Sequence, residues 1–268
     1  MISNTILDKI VEKKAIRLHT AKENMPLKAL QEWAERQNHQ PLDFARALKE
    51  YEKISIIAEV KKASPSKGLI REDFDPVAIA QAYLKSDVQA MSVLTEQDFF
   101  QGDAAYLQAI RAIAKIPLLR KDFIFDAYQI HEAKYWGADA VLLIAAMLDD
   151  EELNALHKIA QAVGLQSLVE VHNAQEMERV MCMNRQPDML GINNRDLKTF
   201  QEDLHTTERL LERISLPKEV CIVSESAIRT PQDMRYIEQI GVDAALIGEG
   251  FMRQRDIAGA VASLRGAE

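Results

Sequence analysis

Cysteine is scarce in this chain, and its scarcity restricts the protein class before any motif is considered. Cys182 and Cys221 are the two cysteines among 268 residues, and they form neither a Cys-x-x-Cys pair nor a zinc-ligand spacing. A disulfide framework and a zinc site are therefore excluded, and reduced thiols in a cytoplasmic protein are expected. The six histidines show no His-Glu-x-x-His or similar pairing, so no metal is expected.

Long apolar runs and an excess of basic charge are also missing. No apolar run reaches the roughly 18 residues of a membrane span, and residues 1–18 mix charges into apolar positions, unlike a signal peptide. Lysine and arginine number 33 against 41 aspartates and glutamates, a net charge of −8. Because a nucleic-acid backbone requires a basic face, nucleic acid is disfavoured as a partner, whereas a small anion needs only a local positive pocket.

Eight apolar runs of β character alternate with helical patterns from residue 54 onward. The runs span residues 54–60, 90–94, 116–119, 140–146, 166–171, 189–192, 220–223 and 244–247. Most are continuously apolar, which is typical of parallel strands covered on both faces. Helix-capping residues separate them: Asp75 and Thr230 before prolines, Asn173 and Asp149 as further N-caps, and Gly137, Gly164 and Gly241 after predicted helix ends. This pattern predicts an α/β protein with a (βα)8 TIM barrel rather than an open doubly wound sheet, since no Gly-x-Gly-x-x-Gly follows the first run.

Residues 1–53 predict an N-terminal helical extension in front of a barrel over residues 54–268, in one domain overall. The apolar positions expected to face inward are Ile6, Leu7, Ile10 and Val11 in a first helix, Leu27, Leu30 and Trp33 in a second, and Leu42, Phe44 and Leu48 in a third. The extension either plugs one barrel end or also shields the mouth of a site, and the sequence leaves both alternatives open.

Polar residues gather where the runs end, which is where TIM barrels carry their chemistry. They are Glu59 and Lys61; Arg120, Lys121 and Asp122; Glu170 and His172; Asn193, Asn194, Arg195 and Asp196; Ser224, Glu225 and Ser226; and Gly248, Glu249 and Gly250. Neighbouring cations are expected to lower a lysine pKa, and apolar walls to raise a carboxyl pKa, which would supply an acid and a base. The alternative, a set of structural ion pairs, is disfavoured because so many strand ends take part.

Small residues after the seventh and eighth runs favour a phosphate site there, bound by backbone N–H groups. The segment SPSKG after the first run lacks the Walker spacing, and we expect it to be a loop that closes over the substrate. Phe99, Phe100 and Phe123 either belong to the core or line an aromatic pocket, and the residues alone do not decide between these.

Eight segments, one at each predicted strand, add a more specific signal: IIAEVKKASPSKG, SVLTEQDFFQG, LLRKDFIFD, GADAVLLIAA, LVEVH, GINNRDL, SESAI and LIGEGFM. Together they resemble the indole-3-glycerol-phosphate synthase family of tryptophan biosynthesis, from about residue 54 to residue 252. The resemblance implies ring closure of 1-(2-carboxyphenylamino)-1-deoxyribulose 5-phosphate to indole-3-glycerol phosphate with loss of CO2 and water. It also implies a carboxy-lyase that needs no metal or organic cofactor.

The resemblance implies a role for each matching residue. Lys121 is the general acid of ring closure, and Lys61, Glu59 and Glu170 share the remaining proton transfers, with the order of the two glutamates left open. Substrate contacts fall to Ser64, Phe100, Phe123, Leu142, Asn193, Arg195, Glu225 and Ser226, and the phosphate to the backbone at Ala227, Gly248 and Glu249.

Two departures from the family pattern concern the phosphate site. Ala227 stands where the family usually has glycine, which restricts positive φ, and Gly250 stands where it usually has serine or alanine. Binding is expected to survive both.

Three rival readings stay open at this point. One is a Schiff-base lyase or isomerase acting on a sugar phosphate with Lys121 as nucleophile. The second is a barrel that binds a phosphorylated ligand without catalysis, and the third is half of a fused bifunctional enzyme, for which the length leaves no room.

We expect the partner to be a small phosphorylated substrate and not a membrane. We also expect a monomer rather than an obligate oligomer.

Overall fold

Eight parallel strands close into a barrel, which confirms the predicted architecture. The computed structural model describes residues 5–36 and 40–266, so the outer ends of the predicted ranges, residues 1–4 and 267–268, lie outside the described residues. The barrel strands are β1 (Ser55–Val60), β4 (Ala90–Leu94), β5 (Leu118–Lys121), β6 (Ala140–Ile144), β7 (Gln166–Val171), β8 (Met189–Asn193), β9 (Cys221–Glu225) and β10 (Ala244–Ile247). Each pairs with its neighbour in the chain, and β1 closes the ring on β10. The third predicted run begins two residues late, at Leu118, because Pro117 has no N–H for the ladder.

Helices alternate with these strands and begin at the predicted caps. The helices are α1 (Ile6–Asn24), α2 (Leu27–Arg36), α3 (Phe44–Lys49), α4 (Pro76–Leu84), α5 (Ala104–Arg111), α6 (Ala127–Trp136), α7 (Asp150–Ala162), α8 (Ala174–Met181), α9 (His205–Leu211), α10 (Pro231–Gln239), α11 (Glu249–Met252) and α12 (Ile257–Leu264). The side chains of Asp75, Asp149, Asn173 and Thr230 accept backbone N–H bonds as N-caps. Gly137, Gly164 and Gly241 all adopt positive φ.

The segment SPSKG is a short hairpin rather than an irregular loop. Strands β2 (Ala63–Ser64) and β3 (Gly68–Leu69) pair antiparallel, and residues 65–67 form its tip. Gly68 makes the return possible because its φ is +64°. The hairpin leads directly from β1, so it lies beside the carboxyl end of the barrel.

The inward-facing residues of alternate strands form layers, as in other TIM barrels. Ile57, Leu119, Leu168 and Val223 from β1, β5, β7 and β9 are fully buried in one interior cluster. Two residues further along the same strands the side chains are Glu59, Lys121, Glu170 and Glu225. Because strand side chains repeat with a period of two, these four also face inward. One layer of the barrel interior is therefore apolar, and the next layer toward the carboxyl ends is ionic.

Helix α3 closes the amino-terminal end of the barrel. Phe44 and Leu48 are fully buried in the same cluster as the apolar layer, and Ser55 donates a hydrogen bond to the Leu48 carbonyl at 2.7 Å. The backbone of Leu42 donates to Asp139 at the start of β6. This helix is the plug that the sequence offered as one alternative.

The other alternative, in which part of the extension shields the mouth of the site, applies to helix α1. This helix borders the carboxyl-terminal end of the barrel. Ile6, Leu7 and Ile10 line the cavity at the carboxyl ends of the strands. Three ion pairs fasten the helix to the loops after β4 and β5: Lys14 with Asp122, Arg17 with Asp98, and Lys22 with Asp126, each at 2.6 Å. Plug and shield are thus two different helices of the extension. Whether the extension and the barrel count as one domain stays a prediction.

Helix α2 packs on α6 along a narrower strip than predicted. Leu30 is buried against Tyr128, but Leu27 and Trp33 are 40% and 50% exposed, so their predicted inward placement is wrong. Each lies about 60° of helix rotation from Leu30, on either side of the contact. Leu42, also expected to face inward, is 37% exposed, because it precedes α3 and only its backbone is anchored.

Phe44→Ala should reduce the free energy of unfolding by about 3–5 kcal/mol, since it opens a cavity in the plugged end of the barrel. Urea unfolding followed by circular dichroism measures the change. The matched control is Leu42→Ala, at the partly exposed position two residues earlier, which should cost less than about 1 kcal/mol. Equal losses for both variants would show that α3 does not plug the barrel.

Candidate active site

A cavity of about 470 Å3 opens at the carboxyl ends of the strands, under α1 and beside the β2–β3 hairpin. Every residue to which the family resemblance gave a role lines it: Glu59, Lys61, Ser64, Phe100, Lys121, Phe123, Leu142, Glu170, Asn193, Arg195, Glu225, Ser226, Ala227, Gly248 and Glu249. Residues from the first and the last barrel strand thus meet around one space. Closure of the barrel, rather than proximity in the chain, brings them together.

Lys121 is the centre of the ionic layer. Its Nζ lies 2.8 Å from Oε2 of Glu170 and 2.7 Å from Oε2 of Glu225. Burial by itself would lower the pKa of Lys121, but the charges of Glu170, Glu225 and Glu59 outweigh burial and raise the pKa above its ordinary value. The expectation that neighbouring cations lower this pKa is wrong, because the lysine faces carboxylates. Lys121 therefore carries its proton throughout the neutral pH range.

The two carboxylates that share Lys121 differ in their other contacts. Burial disfavours the charge of Glu170, but Lys121 and His172 overcome this and hold its pKa well below the usual range. Burial raises the pKa of Glu225 to about 7, and the negative charge of Glu170 adds to the shift while Lys121 opposes it. Oε1 of Glu225 has no hydrogen-bond partner among the described residues. Of the two, Glu225 is the carboxyl that can change protonation near neutral pH. The sequence predicted a carboxyl with a raised pKa but did not indicate which one.

Glu59 and Lys61 form a second ion pair, on β1 and just beyond its end. Lys61 Nζ lies 2.6 Å from Glu59 Oε1, and both side chains are almost buried. A Cβ added at Gly248 would lie 2.2 Å from that same carboxylate oxygen. Gly248 therefore gives the Glu59 side chain its space, in addition to its predicted place in the phosphate loop.

Gly191 does the same for Glu225. It lies on β8, and an added Cβ would be 2.4 Å from Oε1 of Glu225 and 3.2 Å from Cδ1 of Leu168. Nothing in the sequence singles out this glycine, because it stands inside a strand and not in a motif. Its role appears only when β8 and β9 are paired.

Phe100 and Phe123 form part of an apolar wall, which settles the question of core or pocket for these two residues. Their ring centroids are 5.9 Å apart, and Leu142 and Ile10 line the cavity with them. Phe99 does not line this cavity.

Glu96 holds the segment that carries Phe100. It is fully buried after β4, and its carboxylate accepts the backbone N–H groups of Asp98, Phe99 and Phe100 at 2.8 to 3.0 Å. This residue was not singled out from the sequence, where its only signal was an acidic residue two positions after the end of an apolar run.

Asn193, Arg195 and Ser226 form a polar rim. Ser226 Oγ and the Arg195 backbone N–H both donate to Oδ1 of Asn193, at 2.9 and 3.1 Å. The Arg195 guanidinium pairs with Glu202 and lies 3.6 Å from Glu249. This rim provides a cation and amide groups beside the apolar wall.

Several strand-end residues lie outside the site. Arg120 points away from the cavity toward Glu132 and stacks on Trp136. Asn194 is buried, where it joins Ser224 and Thr207 in one hydrogen-bond group. These positions build the scaffold of the strand ends and do not face a ligand.

The loop after β9 is strained. Ser226 and Ala227 have φ of +68° and +64°, a conformation that costs a residue with a Cβ about 1 kcal/mol or more.

The Glu249 carboxylate turns toward Arg253 at 2.9 Å. Burial disfavours its charge, but the bond to Arg253 holds the pKa of Glu249 below its usual range.

The described part of the chain contains neither a cluster of metal ligands nor a membrane-spanning helix. Within residues 5–36 and 40–266, no group of three or more histidine, cysteine, aspartate or glutamate side chains is arranged to hold a metal ion. No helix in this part of the chain has the length and apolar character needed to cross a membrane. Cys182 and Cys221 are both free thiols.

Comparison of folds shows that other proteins share this barrel. A 3-hexulose-6-phosphate synthase from Salmonella typhimurium matches with a TM-score of 0.63 at 14% identity, over 80% of this chain and 97% of that one. A mutant tryptophan synthase α-subunit from Pyrococcus furiosus matches with a TM-score of 0.60 at 12% identity, over 79% and 98%. These likenesses show the fold alone. Fold and cavity together define a TIM-barrel enzyme with acid–base groups at the carboxyl ends of its strands.

Comparison of sequences identifies the family. The sequence model described as indole-3-glycerol phosphate synthase matches residues 7–264. Relatives of that name are 52% identical in Acetivibrio thermocellus, over 94% of this chain and 96% of theirs, and 50% identical in Alkaliphilus metalliredigens, over 97% and 98%. The chain belongs to the indole-3-glycerol phosphate synthase family, and its activity is that of this carboxy-lyase of tryptophan biosynthesis.

Gly191→Ala should reduce turnover by about tenfold or more, because the new methyl group displaces the Glu225 carboxylate from Lys121. Steady-state kinetics with the carboxyphenylamino-deoxyribulose phosphate measures the loss. Gly250→Ala is the matched control, since its added Cβ meets only Ile247 at 3.8 Å, and it should retain most of the activity. Full activity of Gly191→Ala would mean that the position of Glu225 does not matter.

Ala227→Gly should leave kcat similar and KM unchanged or lower. The substitution relieves the positive φ of the loop while keeping its backbone N–H. Relief of about 1 kcal/mol is largely cancelled by the greater freedom of glycine in the unfolded chain, so the free energy of unfolding should change by less than about 1 kcal/mol. A large loss of activity would contradict the assignment of this loop to backbone binding of phosphate.

Proposed function

We propose that the residues around this cavity divide the family's reaction into an acid-catalysed ring closure by Lys121 and a dehydration by the Lys61–Glu59 pair. The single observation that carries the proposal is the placement of a protonated lysine between carboxylates, in a cavity with an apolar wall on one side. The substrate 1-(2-carboxyphenylamino)-1-deoxyribulose 5-phosphate has matching parts: an aromatic ring, a carboxylate, a carbonyl and a phosphate.

Three parts of the substrate determine how it lies in the cavity: the aromatic ring, the carboxylate and the phosphate. Its aromatic ring packs between Phe100, Phe123 and Leu142, and its carboxylate lies toward Arg195 and Asn193, with Ser64 as a further contact. The phosphate binds the backbone after β9 and before α11, at Ala227 and Gly248. The support is the distribution of groups around the cavity, which is apolar on one side and cationic at the rim.

In ring closure, the ring carbon that bears the carboxylate attacks the ribulose carbonyl carbon. The C–C bond forms, the carbonyl π electrons move to oxygen, and Lys121 donates its proton there. The raised pKa of Lys121 suits this step, because an alkoxide is a strong enough base to take the proton. The carboxylate then leaves as CO2, and its bonding electrons neutralise the iminium that the attack had produced.

Dehydration completes the indole. The hydroxyl group leaves as water after it takes a proton from Lys61, and the ring-side CH2 carbon gives a proton to Glu59. Glu170 is not assigned this proton, because Lys121 and His172 both stabilise its negative charge. Two protons are taken up and one is returned, so turnover consumes one proton. Glu225, which lies on Lys121, is placed to return a proton to it.

The Schiff-base alternative is disfavoured by the same lysine. A covalent adduct needs a neutral amine, and the carboxylates around Lys121 keep it protonated.

A monomeric state and a cytoplasmic location remain predictions of the sequence.

Lys121→Met should reduce turnover by at least about a thousandfold while the fold persists, since the side chain keeps its length but loses the proton. Indole fluorescence after mixing with the substrate measures product. Lys62→Met is the matched control, because Lys62 is the neighbour of Lys61 but does not line the cavity, and it should retain activity.

Near wild-type turnover by Lys121→Met would refute the assignment of the general acid. Borohydride treatment of the wild type with substrate provides a second measurement. Our proposal expects no covalent adduct by mass spectrometry, and an adduct at Lys121 would favour the Schiff-base chemistry instead.

A further inference from the structure

His172 is a buried ionisable residue that the reaction scheme above does not use. It follows β7 directly, two residues after Glu170, and its side chain is 7% exposed. It does not line the cavity, so it does not touch the substrate. Any effect on the reaction must therefore pass through Glu170.

The imidazole lies between two carboxylates. Nε2 is 3.2 Å from Oε1 of Glu170, and Nδ1 is 3.1 Å from Oε2 of Glu176 in the first turn of α8. The contact with Glu170 is an ion pair without the alignment of a good hydrogen bond. These two carboxylates are its ion-pair partners among the described residues. Burial alone would lower the pKa of His172, but Glu170 and Glu176 together raise it to about 10, so the ring is an imidazolium at neutral pH.

Glu176 is itself fixed in place. The backbone N–H of His172 donates to its Oε2 at 2.8 Å, and Nδ2 of Asn173 donates to its Oε1 at 2.6 Å. Asn173 also caps α8 by accepting the Glu176 N–H at 3.0 Å. The outer end of the arrangement is therefore anchored to a helix start, which leaves the ring little freedom to turn.

The contacts form one row of alternating charge from α8 into the cavity: Glu176, His172, Glu170, Lys121 and Glu225. Glu170 uses Oε1 for His172 and Oε2 for Lys121. The carboxylate is thus held at both oxygens and presents one of them to the general acid. Among the residues that the structure describes, none pairs with Glu225 as His172 pairs with Glu170.

We propose that His172 is a positioning residue that keeps Glu170 ionised and aimed at Lys121, so that Lys121 surrenders its proton to the substrate and not to Glu170. The inference rests on the proposed role of Lys121. Without the imidazolium, Glu170 contacts one cation instead of two, so its carboxylate takes up a proton at higher pH than in the wild type. The lysine then loses a fixed partner and shifts toward Glu225.

The test compares His172→Gln with Glu176→Gln in single-turnover experiments from pH 5.5 to 9.5. His172→Gln retains a donor but not the charge, and we expect its rate to fall about ten- to hundredfold with substrate affinity little changed. We also expect the acidic limb of its pH profile to move to higher pH. Glu176→Gln keeps the ring but removes one of the carboxylates that raise its pKa. Its rate relative to wild type should be close to one at pH 6 and should fall as the pH rises and the imidazolium is lost.

His157→Gln is the matched control. His157 is also buried and bonds a serine, Ser167, but lies on α7 away from the cavity. It should lower the melting temperature without moving the pH profile. If His172→Gln behaves like this control, or if Glu176→Gln follows the wild type at every pH, His172 is structural and the inference is overturned. Should His172→Gln fail to fold, the Glu176→Gln profile decides alone. Absence of turnover in the wild type would instead refute the proposed function.

Discussion

One ammonium group held between two buried carboxylates is the interaction on which the rest of the site depends. Isolated charges at this depth would cost several kcal/mol each, so each carboxylate is tolerable only while Lys121 lies between them. The three side chains come from β5, β7 and β9, and Glu59 from β1 completes the same inward-facing layer. Alternate strands of a closed barrel supply such a layer, and the apolar layer directly beneath excludes water from its other side.

The two carboxylates are made unequal by what stands behind each. The imidazolium of His172 lies against Glu170, whereas the neighbour of the Glu225 carboxylate on β8 is Gly191, which has no side chain. A carboxylate with two cations stays charged, and one with a single cation and a free oxygen is protonated more easily. One lysine can therefore have a fixed anion on one side and a proton exchanger on the other. The difference between the two carboxylates arises here from His172 and Gly191, which do not line the cavity.

The extension contributes to both ends of this arrangement. Helix α3 fills the end of the barrel where the apolar layer would otherwise meet water, and α1 gives apolar residues to the mouth. Lys14 joins α1 to the strand of Lys121, the general acid that we propose, since Asp122 follows Lys121 and also accepts a hydrogen bond from Thr95 at 2.6 Å. Burial disfavours the charge of Asp122, but Lys14 and Arg120 hold its pKa at about 2. Helix α1, which borders the cavity, and strand β5, which carries Lys121, are thus linked through the Asp122 carboxylate, which is ionised at neutral pH.

The sequence by itself determined the eight strands and the helix caps, because these follow from local periodicity and from short-range hydrogen bonds. Resemblance to a family then assigned roles to residues from all eight strand ends, and the fold placed every one of them around the cavity. Only the tertiary structure decided that Lys121 faces carboxylates and not cations, and that Glu225 differs from Glu170. It also decided that Gly191 and Glu96 hold Glu225 and Phe100 in place, and that His172 lies between Glu170 and Glu176. These depend on which side chains meet across strands far apart in the chain. Burial and charge act through distance in space, and the order of residues does not contain that distance.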